Sequence, residues 1–170
     1  MHIRTATLTD IEAIRAVGIA AWYDTYSALV PDDYIAWALN KWWSPEDIHR
    51  HINSDQFIVL VAEVDQQIVG IAHTQIRPDH TAILWRLYVR QAYRGHGIGT
   101  QLIAASEQHL PVGIRQLGIE YYQANTRAAK LYARLGFVFD RIETVSFQNI
   151  PIVSVFVQRP LYANAVGSYE

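Results

Sequence analysis

Apolar residues recur at helical intervals in the first third of the chain, and the pattern changes to strand-like runs after it. Thr9 and Glu12 match a capping box ahead of a row of apolar positions, so we predict a first helix from about Asp10 to the mid-twenties. A proline followed by acidic residues is typical of a helix start. This signal predicts two further helices, one beginning near Pro31 and one following Ser44.

From residue 57 onward, short runs rich in β-branched residues predict strands. Two helical segments interrupt these strands, one after the glycines at 95–99 and one whose last turn is closed by Gly136. The predicted strands are residues 3–6, 57–64, 68–76, 81–89, 117–121, 137–147 and 152–158. No internal repeat or linker divides the series, so one mixed α/β layer structure accounts for the whole chain.

The composition predicts one folded domain, because 51% of the 170 residues are hydrophobic and only 18% are charged. We expect this domain at residues 1–162 and a short C-terminal tail at 163–170. The formal net charge is -2, so the chain does not have the excess of basic residues that is typical of a nucleic-acid-binding protein. The absence of cysteine excludes disulfides and a cysteine nucleophile, and no apolar run reaches the length of a membrane span. We therefore expect a soluble, cytoplasmic protein with no nucleic-acid or membrane partner.

A glycine-rich loop, residues 94–99 with the sequence RGHGIG, lies between a predicted strand and a predicted helix. Such glycines let consecutive backbone N–H groups point into one concavity at the positive end of the helix, which suits a pyrophosphate. The loop is not a Walker sequence, because no lysine follows Gly99, and it fails the dinucleotide fingerprint G-x-G-x-x-G in both registers. We interpret the loop as an anion site rather than a plain turn, and a nucleotide phosphate is one candidate ligand.

Residues 94–99 have the pattern R-x-x-G-x-G, which resembles the acyl-CoA-binding motif Q/R-x-x-G-x-G/A of the GNAT superfamily of N-acetyltransferases. Residues 125–137, with the pattern N-x-x-A-x-x-L-Y-x-x-L-G-F, are similar to the second cofactor segment of that superfamily. The order of the predicted strands and helices also follows that of the superfamily, over about residues 3–160. It implies the GNAT fold, a mixed and mostly antiparallel sheet of six to seven strands with four to five helices on both faces, splayed at the acyl-CoA site. It also implies acetyl-CoA as the acyl donor.

The resemblance assigns the donor to a strand, a loop and a helix. Unpaired backbone groups of the strand at Leu87 and Val89 are expected to bond the pantetheine arm, as an added strand would. Asn125 is expected to contact the same arm and is equally suited to cap the helix that begins at Thr126. The implied cofactor-binding residues are Leu87, Tyr88, Val89, Arg94, Gly95, His96, Gly97, Ile98, Gly99, Thr100, Asn125 and Tyr132.

Acetyl transfer by direct attack requires an unprotonated amine and a proton donor for the departing thiolate. An alkyl ammonium has a pKa near ~10.4, so a base must remove a proton directly or through water. The resemblance implies Glu120 as this base and Tyr132 as the general acid; the alternatives are a solvated strand-end charge and a core packing residue. Many relatives carry an acidic residue where this chain has Trp85, so that candidate is absent and an apolar or cation-binding wall is expected instead.

Five further residues are of types that could take part in catalysis or metal binding. Glu63 and His73 are alternative bases acting through water, although each residue type is more often a partnered structural group. His49, His51 and His109 lack the spacing and the additional ligands of a metal site. We therefore predict no metal.

In the fold that the resemblance implies, the segment between the first two helices covers the acceptor cleft. Its aromatic and acidic side chains suit a cationic amine, and the candidate acceptors are a polyamine, another small amine or a peptide N-terminus. The residues expected to bind the acceptor are Trp22, Tyr26 and Trp85, with Tyr23, Asp24 and Asp32 nearby.

The same motifs also fit a protein of another class, a non-catalytic CoA-binding sensor or interaction module. A homodimer formed through the final hairpin is expected only by analogy with relatives. Neither point changes the residues expected to bind CoA.

Overall fold

The computed structural model describes residues 1–161, which form one seven-stranded sheet with α helices packed on both faces. The predicted tail at 163–170 and the last residue of the predicted domain lie outside the described residues. The strands are β1 (His2–Thr5), β2 (Phe57–Val64), β3 (Gln67–Ile76), β4 (Thr81–Val89), β5 (Gln116–Tyr122), β6 (Val138–Phe147) and β7 (Ile150–Pro160). The helices are α1 (Ile11–Tyr26), α2 (Asp32–Trp42), α3 (Pro45–Ile52), α4 (Ile98–Gln108) and α5 (Thr126–Arg134).

The predicted cap of α1 is wrong. Instead of Thr9 and Glu12, Thr7 and Asp10 form the capping pair, and the backbone N–H of Thr7 donates to Asp10 Oδ2 over 2.7 Å. A short 3-10 turn at Leu8–Asp10 precedes the α helix, so the helical conformation begins at Leu8, two residues before the predicted start at Asp10. Arg4 of β1 also donates to Asp10 Oδ2 at 2.7 Å, which fixes this helix start to the edge of the sheet.

The starts of α2 and α3 follow the sequence signals. Pro31 precedes α2 in an extended conformation, and two acidic residues occupy the first turn of the helix. Ser44 caps α3, because its Oγ accepts from the backbone N–H of Asp47 at 3.1 Å. At the end of α5, Gly136 adopts the left-handed conformation expected of a residue that closes a helix.

The sheet has the strand order β1-β2-β3-β4-β5-β7-β6, and only the contact between β4 and β5 is parallel. This parallel pairing joins Thr81–Leu84 to Gln116–Ile119 and then stops. β4 remains paired with β3 as far as Val89, and β5 remains paired with β7 as far as Tyr122. The two strands therefore diverge, which leaves an opening within the sheet and confirms the splayed, mostly antiparallel fold.

Two hydrophobic cores lie on opposite faces of the sheet. One is built around α1, α2 and α3 and contains the fully buried Trp43, Tyr34 and Ile48. The other lies under α4 and α5 and contains Leu102 and Ile119. Within residues 1–161, no helix is long and apolar enough to cross a membrane.

Candidate active site

The divergence of β4 from β5 opens into a cavity of about 960 Å³, which we call the loop cavity. Its walls come from the second half of β4, from residues 93–100 and from α5. Every residue predicted to bind the cofactor lines this cavity except His96, whose side chain is exposed. The structure thus brings together three segments that the sequence connects only through motif resemblance.

The glycine-rich loop presents a group of free backbone donors to the loop cavity. Gly97 has a φ of 78°, a left-handed conformation that favours glycine, and it occupies the cap position of α4. The first hydrogen bond of this helix runs from the N–H of Gln101 to the carbonyl of Gly97 over 3.0 Å. Among residues 1–161, the backbone N–H groups of 95–100 find no acceptor. Such a cluster at a helix N-terminus fits a bound diphosphate.

Arg94 links the glycine-rich loop to β4 and to α1. Its Nε donates to the carbonyl of Val89 over 2.8 Å, and its guanidinium lies 3.6 Å from the carboxylate of Asp24 in α1. From Trp85 to Val89, the edge of β4 that faces β5 has no strand partner. A chain of amides could pair with that edge, as the resemblance implies for the pantetheine arm.

Helix α5 contributes a polar and basic wall to the loop cavity. Asn125 caps the helix, because its Oδ1 accepts from the N–H of Ala128 over 3.1 Å. Arg127, Lys130 and Arg134 lie at i, i+3 and i+7, so they share one face of the helix, and all three line the cavity. Among the described residues they form no ion pair with a carboxylate. Together with the free loop amides, these cations fit a polyanionic ligand such as CoA.

Tyr132 lines the loop cavity and is only 6% exposed. Its ring packs against Tyr121 and Phe137, with centroid distances of 5.6 Å and 6.0 Å. Burial raises the pKa of Tyr132 above its ordinary value, and the nearby hydroxyl of Tyr26 adds to this rise. The phenol is therefore protonated at neutral pH and is a hydrogen-bond donor.

Glu120 on β5 lies where β4 and β5 separate, and it is partly buried. Ser154 Oγ of β7 donates to Glu120 Oε1 over 2.5 Å. Burial raises the pKa of Glu120, because removal from water disfavours the charged form, while the hydrogen bond from Ser154 lowers it in part. A carboxyl group with this balance titrates closer to neutral pH than a solvated one, as a general base requires.

A second cavity of about 550 Å³ lies beside α1, α2 and α3, and we call it the aromatic cavity. It contains all three residues expected to bind the acceptor, Trp22, Tyr26 and Trp85. Trp85 donates from Nε1 to Gln75 Oε1 over 2.8 Å, which fixes its ring as a wall. Both cavities share the residues Tyr26, Trp85, Tyr88, Glu120 and Tyr121, so they meet at the candidate base.

Most residues of the aromatic cavity carry no signal in the sequence that predicts their place there. Tyr34 and Tyr122 share a hydrogen bond between their hydroxyl oxygens at 2.7 Å, although 88 positions separate them. Lys41 places Nζ 4.6 Å from the ring centre of Trp37 and 5.5 Å from that of Trp42. The helical spacing of Trp37 and Lys41 was available in the sequence, but no local signal indicates that this face of α2 borders a cavity.

Behind the aromatic residues, the cavity has a buried polar wall. Arg86 Nη2 donates to Asp47 Oδ2 over 2.6 Å, and Arg86 Nη1 donates to His73 Nδ1 over 3.1 Å. Burial lowers the pKa of His73, with Arg86 adding to the effect, and burial lowers the pKa of His51 to about 4. Both imidazoles are therefore neutral, so His73 is a partner of Arg86 rather than a free base.

Several predicted candidates lie away from these cavities. Glu63 accepts a hydrogen bond from Arg4 over 3.1 Å at the β1 edge of the sheet, so it is a structural residue. Asp24 pairs with Arg94, and neither Asp24 nor Asp32 lines the aromatic cavity. Tyr23 is exposed and lines neither cavity. Within the described chain, no three His, Asp or Glu side chains are grouped to hold a metal ion.

The sequence of residues 55–139, half of the chain, matches the family model of the acetyltransferase (GNAT) domain. A spermidine N(1)-acetyltransferase from Thermoplasma acidophilum is 24% identical over 142 residues, which cover 81% of this chain and 88% of the relative.

Solved structures share the fold over almost the full length. The PaiA N-acetyltransferase from Thermoplasma acidophilum, in complex with coenzyme A, has a TM-score of 0.79 at 21% identity and covers 94% of this chain and 98% of its own. A ribosomal-protein-alanine N-acetyltransferase from Brucella melitensis has a TM-score of 0.68 at 26% identity, with coverage of 95% and 100%.

Proposed function

Because the chain belongs to the GNAT family of acetyltransferases, we propose that it transfers an acetyl group from acetyl-CoA to a primary amine by direct attack, with Glu120 as the base and Tyr132 as the general acid. One observation carries this proposal. Glu120 lines both cavities, and Tyr132 lines the loop cavity that meets the aromatic cavity at Glu120. An amine in one cavity and a thioester in the other would come together between these two side chains.

The loop cavity would hold the donor. The free N–H groups of 95–100 would bind the diphosphate, and the basic face of α5 would bind further phosphate. The open edge of β4 at Leu87 and Val89, together with Asn125, would hold the pantetheine arm. When bound, acetyl-CoA supplies an acyl group activated as a thioester.

Glu120 would take the proton that an ammonium must lose before it can attack. A free alkyl ammonium has a pKa near ~10.4, so at neutral pH very little of it is nucleophilic. The raised pKa of Glu120 makes it a stronger base than a solvated carboxylate, and Ser154 holds the carboxyl group in place. The proton would pass to Glu120 directly or through one water molecule.

Tyr132 would hold a proton at its hydroxyl, where it is available to the departing sulfur. The raised pKa of Tyr132 keeps the phenol protonated throughout the neutral range. A phenol in this state stabilises a thiolate by donating a hydrogen bond, even before the proton is transferred.

The acceptor would occupy the aromatic cavity. Aromatic faces favour an ammonium group, which suits a polyamine, another small amine or a peptide N-terminus. The names of two relatives support this range, because one is a spermidine acetyltransferase and another is a ribosomal-protein-alanine acetyltransferase. Trp22, Tyr26 and Trp85 would form the walls that orient the amine toward Glu120.

Thiol release from acetyl-CoA, measured over a panel of polyamines, amino acids and peptides, tests the proposal. We expect Glu120→Gln to lower kcat by roughly 100-fold or more and Tyr132→Phe by roughly 10-fold or more, since general acid and base groups contribute about 10²–10⁴-fold. Calorimetric binding of CoA should be unchanged in Glu120→Gln. Glu12→Gln, an exposed substitution on the first turn of α1, is the matched control.

Two results would count against the proposal. If no acceptor stimulates CoA release although calorimetry shows CoA binding, the chain is a CoA-binding sensor or interaction module instead. If Glu120→Gln retains full kcat, another group supplies the base.

A further inference from the structure

We propose that the free edge of β6 pairs with the β6 of a second copy of this chain, antiparallel and centred on Ile142, which makes the protein a dimer with twofold symmetry. This inference goes beyond the proposed function and does not depend on acetyl transfer. Three properties of β6 carry it: its length as an edge strand, the exposure of its apolar side chains, and the order of its charges.

β6 is the long edge of the sheet. The strand order places β1 at one edge and β6 at the other. β1 has only four residues, and a short edge strand is one of the ways in which proteins avoid pairing with another chain. β6 has ten residues, pairs with β7 on one side and has no strand partner on the other side within residues 1–161. Its outward backbone N–H and C=O groups are therefore available to another strand.

Large apolar side chains of β6 face solvent. Val138, Phe139, Ile142 and Val145 are 49–63% exposed. Ile142 pairs with Val155, on the face of the sheet that carries α4 and α5, whereas Val145 lies on the opposite face. Both faces of this edge thus present apolar surface, which an edge exposed to water usually replaces with charged or polar side chains. A second strand along the edge would cover part of that surface on each face.

The charges of β6 favour a second copy of the same strand as the occupant of this edge. Arg141 and Glu143 are two positions apart, so their side chains lie on the same face. In an antiparallel pair of identical strands centred on Ile142, Arg141 of each copy lies opposite Glu143 of the other. The symmetry forms this pair twice, and opposite charges directly across two strands stabilise the pairing.

The two adjacent registers lack this match. A twofold axis normal to the sheet keeps every side chain on its own face, so the centre of the pairing must fall on a residue. A centre at Arg141 would place two guanidinium groups opposite each other, and a centre at Glu143 would place two carboxylates opposite each other. Like charges in these positions are destabilising. Of the three registers, the one centred on Ile142 is the attractive one.

Arg141 retains a donor for the second copy. Within one chain it donates from Nε to Glu143 over 2.7 Å and from Nη1 to Asp140 over 2.6 Å. Its Nη2 is left for the carboxylate of the other copy. The side chains of Arg141 and Glu143 are 44% and 54% exposed, so a second strand can reach both. Glu143 and Val145 also line the aromatic cavity, so the second copy would border that cavity at its β6 wall.

A cysteine placed on the proposed axis tests the register, because the chain contains no cysteine of its own. Directly opposite residues of antiparallel strands have Cα atoms about 4.5–5.5 Å apart, within the range of a disulfide. Ile142→Cys should therefore give a disulfide-linked dimer under mild oxidation, seen on a non-reducing gel. Thr144→Cys, also exposed and on the same strand, is the matched control. Its two copies would be more than about 12 Å apart, so this variant should not become linked.

Charge reversal tests the pairing of Arg141 with Glu143. Sedimentation of the parent should show a dimer that dissociates on dilution. Arg141→Glu and Glu143→Arg should each weaken the dimer by about tenfold or more, because each variant places two like-charge pairs across the axis. An equimolar mixture of the two variants should recover the dimer, which would also show that both are folded. Arg77→Glu, in the turn after β3, should dimerise like the parent.

Three results would overturn the inference. The first is a parent that stays monomeric at every concentration up to about 1 mM. The second is a Thr144→Cys variant that becomes linked as readily as Ile142→Cys. The third is a dimer that both charge reversals leave unchanged, because its interface would then lie elsewhere. None of these results depends on the use of acetyl-CoA, so the proposed function stands or fails separately.

Discussion

Glu120 is subject to opposing influences from individual neighbours. Burial raises its pKa, Glu143 raises it further by like-charge repulsion, and Ser154 and Arg141 lower it. Ser154 is 8% exposed and lies one strand away, so its hydrogen bond to Glu120 is protected from competition with water. The hydroxyl thus stabilises the ionised form of Glu120, which is the form that accepts a proton.

The pH dependence of kcat/KM should reveal the contribution of Ser154. With Glu120 as the proposed base, activity should rise with pH as its carboxyl group ionises, and this acid limb should follow the pKa of Glu120. Ser154→Ala removes a donor to the ionised form, which raises that pKa and moves the limb to higher pH by about one unit, since ~1.4 kcal/mol corresponds to one unit. Measurements of kcat/KM from about pH 5 to about pH 9 would detect the shift.

Ser154→Thr retains the hydroxyl and is the conservative control, so its limb should lie close to that of the parent. If Ser154→Ala reduces kcat but leaves the acid limb of the pH profile at the same pH, the role of the serine is purely structural.

At the level of single residues, the sequence identifies the groups that belong to a motif and misses those that reach the site through strand register. Tyr132 could be selected because it lies within the segment 125–137, and Glu120 because it lies five residues before Asn125. Ser154 could not, because it follows Glu120 by 34 positions and β7 pairs with β5 in a register that only the folded sheet fixes.

Helix α1 packs closely against Trp43, which lines the aromatic cavity. A Cβ at Gly18 would lie 2.0 Å from Cζ3 of Trp43, so α1 contacts the tryptophan through its backbone. Arg15, one turn earlier, donates from Nε to the carbonyl of Trp43 over 2.9 Å. Trp43 in turn stacks under Arg86, whose Cζ lies 4.8 Å from the ring centre. A glycine in α1 therefore positions the buried arginine of the aromatic cavity.

Gly18→Ala should destabilise the protein although alanine is the better helix former. The substitution gains about 1 kcal/mol of helix propensity. The clash with Trp43, which is 1% exposed and cannot move aside, costs more, typically about 1–3 kcal/mol and above where the overlap is large. We expect a net decrease in the free energy of unfolding, measured by urea denaturation.

Trp43→Phe supplies the control through a double-mutant cycle. If Trp43 causes the clash, Gly18→Ala should cost less in the Trp43→Phe background than in the parent. Ala16→Gly, at an exposed position of the same helix, should give additive effects with Trp43→Phe. Additive effects for Gly18→Ala would contradict this account of the packing.

The positions of the strands and helices were largely predictable from the sequence, and the error lies at the helix cap of α1. Periodicity and turn residues locate all seven strands and five helices because each element has its own hydrophobic face. The cap of α1 was misassigned because Thr7 and Thr9 carry the same local signal, and the choice depends on Arg4 holding Asp10 from a different element. The cavities were not predictable from periodicity, since they result from strand divergence.

For the molecule as a whole, CoA would bridge the two sides of the opening in the sheet. Its binding groups come from β4, α4 and α5, on both sides of the opening in the sheet. A ligand that binds only the folded state at 100 times its Kd adds about 2.7 kcal/mol of stability, which corresponds to a rise in Tm of about 5–10 °C for a chain of this size. Thermal denaturation with and without acetyl-CoA measures this rise.

ATP and NAD are the matched ligands for this experiment, because each carries a pyrophosphate group without the pantetheine arm. Both should raise Tm by less than acetyl-CoA at equal concentration. A larger rise with either nucleotide would identify the loop cavity as a general nucleotide phosphate site.

The two cavities are formed by different kinds of groups, so they respond differently to amino-acid substitutions. The loop cavity depends largely on backbone amides, a strand edge and a helix end, which the fold itself supplies. The wall beside α2 and α3 depends on side chains such as Lys41 and Trp37 that can be exchanged without altering the backbone. Substitutions confined to two short helices could therefore retarget the enzyme to new amines while its use of the donor is inherited intact.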